Sequence, residues 1–184
     1  MTTFDTAPTR LTDRLDSVAS AWLVPTLARL VFAGVLLTYF WASAATKLGD
    51  GLFGILFLDF GAYAQMFPKQ FEAVGYDPSA LGLGYKLLAV AATWGEFILP
   101  LMIVVGLLTR LAALGMIVFV VVQSVTDIVG HNADAATIGA WFDRASGSLI
   151  ADQRALWLFL LMVLVIRGGG PLSLDRFVPP WRDT

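Results

Sequence analysis

The chain has no cysteine and only one histidine, His131, in 184 residues. Without a thiol there is no Cys nucleophile, no disulfide relay on this chain, no structural Cys-zinc site and no Cys-held iron–sulfur cluster. A single imidazole argues against haem or a His-based metal centre, and no metal site is expected. Charge is also scarce. Charged residues make up 14% of the chain, against about 25% in a soluble domain, so the polar surface needed in water is missing. The net charge of -2 leaves no basic footprint for nucleic acid. Gly82 and Gly84 are isolated, and Gly168–Gly170 follows an apolar run rather than a strand, so neither is a phosphate loop. There is no HExxH and no GxSxG.

Apolar residues fill that space: 58% of the chain is hydrophobic and the mean hydropathy is +0.76. Crossing a hydrocarbon core of about 30 Å takes about 20 apolar residues in a helix. Four stretches qualify, at about residues 22–46, 84–106, 109–129 and 149–166. The expected fold is therefore all-α, an integral membrane bundle of four transmembrane helices. The fourth stretch is short, with only residues 155–166 uncharged between Arg154 and Arg167, and is expected to tilt, thin the bilayer or snorkel its flanks. Leu107 and Leu108 alone separate the second and third spans, which predicts a tight antiparallel hairpin. The resulting organisation is a polar N-terminus (1–21), a membrane domain (22–167) and a tail (168–184). Ala42-Ser43-Ala44 has the look of a cleavage site, but the apolar segment before it is long enough to span.

Residues 48–83, between the first two spans, are too aromatic for a solvated linker: Phe53, Phe57, Phe60, Tyr63, Phe67, Phe71 and Tyr76 recur through them. Gly61, Pro68, Gly75 and Pro78 break the segment into pieces. Two readings stand, short interfacial helices or a lid packed over the bundle, and both place it at the outer rim. With both termini cytoplasmic, seven basic residues lie inside (Arg10, Arg14, Arg29, Arg110, Arg167, Arg176, Arg182) and five outside (Lys47, Lys69, Lys86, Arg144, Arg154). That bias sets the expected orientation.

Ionisable groups at membrane depth are costly and mark candidate sites. Glu96 lies mid-span and, at 100° per residue, shares a face with Tyr85, Ala89, Ala92, Thr93 and Pro100. In the first span Arg29, Phe32, Leu36, Tyr39, Ser43 and Lys47 form one stripe. From a rise of about 1.5 Å per residue, Arg29 and Glu96 come to similar depths, roughly 10 and 15 Å from the inner side, so an Arg29–Glu96 pair is expected. Such a pair either serves a function or merely neutralises two buried charges. The candidate buried polar site is Arg29, Tyr39, Lys47 and Glu96. Gln123, Asp127 and His131, spaced by four, put an amide, a carboxylate and an imidazole on one face. With Asp152 they form a candidate outer-rim cluster under the aromatic segment, or else simply sit at the water interface.

Gly95-Glu96-Phe97-Ile98-Leu99-Pro100, followed by Gly106-Leu107-Leu108-Thr109-Arg110-Leu111-Ala112-Ala113-Leu114, resembles the DoxX family of bacterial membrane proteins. So do Thr46-Lys47-Leu48 closing the first span, Pro68 with Glu72-Ala73-Val74-Gly75-Tyr76 in the loop, and the tail Gly170-Pro171-Leu172-Ser173-Leu174-Asp175. The resemblance implies a four-helix bundle in the bacterial inner membrane. It further implies a membrane subunit or partner of a redox system, not catalytic on its own, with a lipophilic quinone-type pocket and a soluble or periplasmic redox protein as partner. No covalent cofactor is expected. Relatives that handle thiol–disulfide chemistry use cysteines, which this chain lacks. The alternatives are a small transporter or permeation protein and a structural assembly factor.

Overall fold

In the computed structural model, residues 13, 19–51, 54 and 57–177 are described. Phe53, Arg10, Arg14, Arg182 and most of the polar N-terminus fall outside them. Four helices are long and apolar enough to cross a membrane: α1 (Ala19–Ala45), α4 (Leu83–Val105), α5 (Thr109–Gly130) and α7 (Leu149–Arg167). Shorter helices lie between them: α2 (Phe60–Met66), α3 (Pro68–Ala73) and α6 (Ala135–Ile138). No strand occurs among the described residues.

The spans pack as a bundle, α7 against α5 and α1, and α4 against α1 and α5. Their shared core is Phe32, Leu36, Phe40, Ile103, Met116, Val120, Leu161 and Leu164. Outward faces stay apolar: Leu30, Val35, Leu87, Val118, Leu156 and Phe159 are all exposed. That is the reverse of a soluble bundle and suits lipid contact.

On α1 the core positions Phe32, Leu36, Phe40 and Ala44 recur every four residues. The cause is a widened π-turn at Ala33–Leu37, which slows the advance of the face around the helix. Similar wide turns close α5 (Thr126–Gly130) and open α7 (Leu149–Arg154). Between α4 and α5 the chain reverses through Gly106 (φ 73) and Leu108 (φ 46). A side chain at Gly106 would also strike Ser173 and Arg29, so glycine is needed there for space as well as conformation.

Residues 57–81 fold back as a lid over one end of the bundle, the lid end; the chain's other described extremities share the opposite, terminal end. The lid starts at a bridge between Leu48 and Leu58 and a hydrogen bond from the Asp59 amide to the Lys47 carbonyl, 3.0 Å. Asp59 caps α2 by accepting from the Gly61 amide, and Pro68 opens α3. Phe60, Tyr63, Phe71 and Tyr76 stack on one another, and Phe67 meets Tyr85 of α4 edge-on. The aromatic residues of this segment thus hold it together and fix it to the bundle.

Candidate functional site

Beneath the lid lies a cavity of about 680 Å3, within the usual range of ligand pockets, about 300–1,000 Å3. Its walls are α4 (Leu88, Ala91, Ala92, Glu96) and α5 (Gly115, Val118, Val122, Gln123, Asp127), its roof is the lid from Gln65 to Gln70, and α1 closes it with Ser43 and Lys47. Leu88, Val118, Val122, Val125 and Val129 border it and are also exposed on the outer surface of the bundle. The opening between α4 and α5 therefore faces the surroundings at span height, where lipid would be.

The Lys47–Glu96 ion pair sits in the wall, with Nζ to Oε2 at 2.7 Å and the side chains only 5% and 3% exposed. Lys47 also donates to the Ser43 carbonyl (3.0 Å) and to its hydroxyl (2.8 Å), while Ser43 Oγ donates to Glu96 Oε1 at 3.2 Å. All three ammonium protons are thus placed. Pro100, inside α4, has no N–H for the Glu96 carbonyl one turn back, so backbone as well as side chain is unusually polar there.

The expected Arg29–Glu96 pair does not form. Side chains on a helix lean toward its N-terminus. α1 runs from the terminal end to the lid end and α4 runs back. Lys47 and Glu96 therefore lean toward each other, and Arg29 leans away to the terminal end. Its guanidinium donates to four carbonyls: Ile103 (3.0 Å) and Val104 (2.6 Å) at the end of α4, Gly169 (3.0 Å) and Leu172 (2.6 Å) in the tail. Arg29 is a clasp that caps carbonyls at the end of α4 and in the tail, tying the tail to α1 and α4. Asp175 completes it, accepting from the Thr109 amide at the start of α5 while its own amide donates to the Gly106 carbonyl at 2.7 Å. Gly169 leaves room for Thr109 and Ser173 to close over it.

Tyr39, grouped with these residues by the stripe, is half-exposed and does not border the cavity; it accepts from Gln123 Nε2 at 3.1 Å. Of the outer-rim group, Gln123, Asp127 and His131 border the cavity and Asp152 does not. Asp152 accepts from Ser148, backbone and side chain, at the start of α7. His131 Nε2 donates to the Gln65 carbonyl, 2.9 Å, pinning lid to α5. Asp127 Oδ2 pairs with Arg154, which also donates to Ser124 Oγ at 3.1 Å. Arg154 is 6% exposed, so it does not snorkel from the end of a short span. It turns inward onto a carboxylate, and α7 reaches 19 residues. Arg154, Ser43 and Asp175 were absent from the sequence-derived site. The available signal for Arg154 was its position opening one span while Asp127 closes its neighbour. No metal-binding group of three His, Cys, Asp or Glu occurs among the described residues.

The DoxX family model matches residues 24–127, more than half of the chain. The chain belongs to the DoxX family. The DoxX match contains Arg29, Lys47, Glu96 and the lid, and ends at Asp127, whereas Arg154, α7 and the tail lie beyond it. No curated protein and no solved structure matches the chain.

Proposed function

We propose that this DoxX protein is a membrane subunit or membrane partner of a redox system, and that its cavity holds a lipophilic quinone-type carrier. The observation that carries this reading is the cavity itself: apolar walls open at span height, with the buried Lys47–Glu96 pair and the partly buried Ser43 at its inner side. A diffusible lipophile reaches such a site from the bilayer without crossing water. The proposed location is the bacterial inner membrane, with both termini cytoplasmic on the bias of seven basic residues against five. Chemistry is assigned to a soluble or periplasmic partner, since the chain has no thiol and the reading needs no covalent cofactor.

Extraction of the protein from native membranes in polymer-bounded discs tests it. Quinone is expected at about one per protein above the surrounding lipid level, and Ala92→Phe, which fills the cavity, is expected to reduce it to that level. Quinone at the background level in both proteins, with no co-purifying redox protein, overturns the reading. The Arg29–Asp175 clasp favours a second reading, a structural assembly factor. Its signature is a phenotype that survives Glu96→Gln but not Arg29→Ala.

A further inference from the structure

This inference rests on the proposed pocket and concerns the form of the carrier that it reads. The Lys47–Glu96 end has little to offer an incoming head group, because every Lys47 proton and both Glu96 oxygens are already engaged. Open capacity lies on α5 at the mouth. The Gln65 carbonyl can only accept, so its hydrogen bond with His131 puts a proton on Nε2; with the ring in its neutral form Nδ1 is then a bare acceptor. One turn back, Asp127 gives Oδ2 to Arg154, and Oδ1 has no hydrogen bond among the described residues. Residues four apart share a helix face, and both border the cavity. Each carboxylate at the cavity has its own cation, Arg154 or Lys47, so there is no uncompensated charge to draw a cationic ligand. Lys69 and Gln70 on the roof are exposed to solvent, as His131 itself is, and the Thr126 hydroxyl and Gln123 amide also line the cavity.

We propose that the mouth binds a neutral lipophile through a hydroxyl that donates to His131 Nδ1, assisted by Asp127 Oδ1. For a quinone-type carrier this contact is open to the reduced hydroquinone, whose hydroxyls donate, and closed to the quinone, whose carbonyls only accept. The apolar part lies between α4 and α5.

Because His131 is the single histidine, its ring can be observed directly. Full-length protein labelled with 15N-histidine, in phosphatidylcholine nanodiscs under anaerobic conditions, is titrated with a short-chain benzohydroquinone and with its quinone. Equilibrium dialysis against empty discs supplies the partition baseline. The hydroquinone is expected to bind about tenfold more tightly, the worth of one well-placed hydrogen bond, and to shift the Nδ1 resonance, whereas the quinone leaves it in place. His131→Leu also removes the pin to the Gln65 carbonyl, so it is read by the ratio of the two affinities, which is expected to fall to about one. Hydroquinone binding with an unmoved Nδ1, or equal affinity for both forms, overturns this inference and leaves the quinone-type pocket standing. If neither form binds above empty discs, the pocket reading falls and this one with it.

Discussion

Lys47 and Glu96 are almost wholly removed from solvent and depend on each other. Desolvating two charges costs several kcal/mol per ion, which their attraction offsets only while both are present. Removing one partner is therefore worse than removing both. Lys47→Met is expected to destabilise the protein by about 3 kcal/mol, and Lys47→Met with Glu96→Gln to recover most of that loss. Reversible unfolding in mixed micelles measures both. Ser43 is the third member, and its hydroxyl faces both charges. The pair that helical arithmetic favoured, Arg29 with Glu96, shows what that arithmetic omits. The depth was misjudged: Trp41 reaches the Phe97 carbonyl, so Glu96 lies level with the part of α1 near Ser43, about 18 Å of rise from Arg29, and the lean of each side chain toward its own N-terminus widens that gap.

The lid is held by a few contacts that can be tested one at a time. Gly130 lets Pro68 rest on the end of α5, since a Cβ there would come within 2.8 Å of the proline ring. Gly130→Leu is expected to lift α3 and raise hydrogen exchange over residues 60–73, with the span amides unchanged. In the last turn of the lid, Asp77 accepts from the hydroxyl and amide of Ser79. The Ser79 hydroxyl is the main cause holding its carboxyl below the ordinary carboxylate range. A folded-state value that is lowered means the turn is favoured above the unfolded value and loses that support as pH falls through the folded one. NMR is expected to show the Ser79 amide resonance moving in acid with a midpoint below that of a free aspartate, and Asp77→Asn abolishes the titration. The lid was legible as a segment because its aromatic spacing ruled out a solvated linker. The starts of its two helices, capped by Asp59 and opened by Pro68, and the mutual stacking of the rings appear only once the segment has folded back.

At the scale of the bundle, polarity is divided between two ends. The terminal end is locked by Arg29 and Asp175 onto backbone groups of α4, α5 and the tail. The lid end holds the cavity and two ion pairs. Arg29 and Lys47 are 18 residues apart on one helix, about 27 Å of rise, and share no partner. Arg29→Ala and Lys47→Met are thus expected to be additive in unfolding free energy to within about 0.5 kcal/mol. A larger coupling would mean that the two ends communicate through the bundle.

Composition and hydropathy by themselves determined that this chain is an all-α membrane protein with four spanning helices, because an apolar helix of about 20 residues satisfies its own backbone in lipid and little else does. They also determined that polar residues at depth deserved attention, since burying them costs free energy whatever the fold. Which of them meet was decided by tertiary structure. Lys47 finds Glu96 because antiparallel helices tilt their side chains toward each other, Arg154 finds Asp127 because the start of α7 packs beside the end of α5, and Arg29 finds only carbonyls because the tail closes over it. The cavity likewise belongs to no single segment. It exists because α4, α5 and the lid enclose a space between them, and the shape of a gap between elements is not written in any one of them.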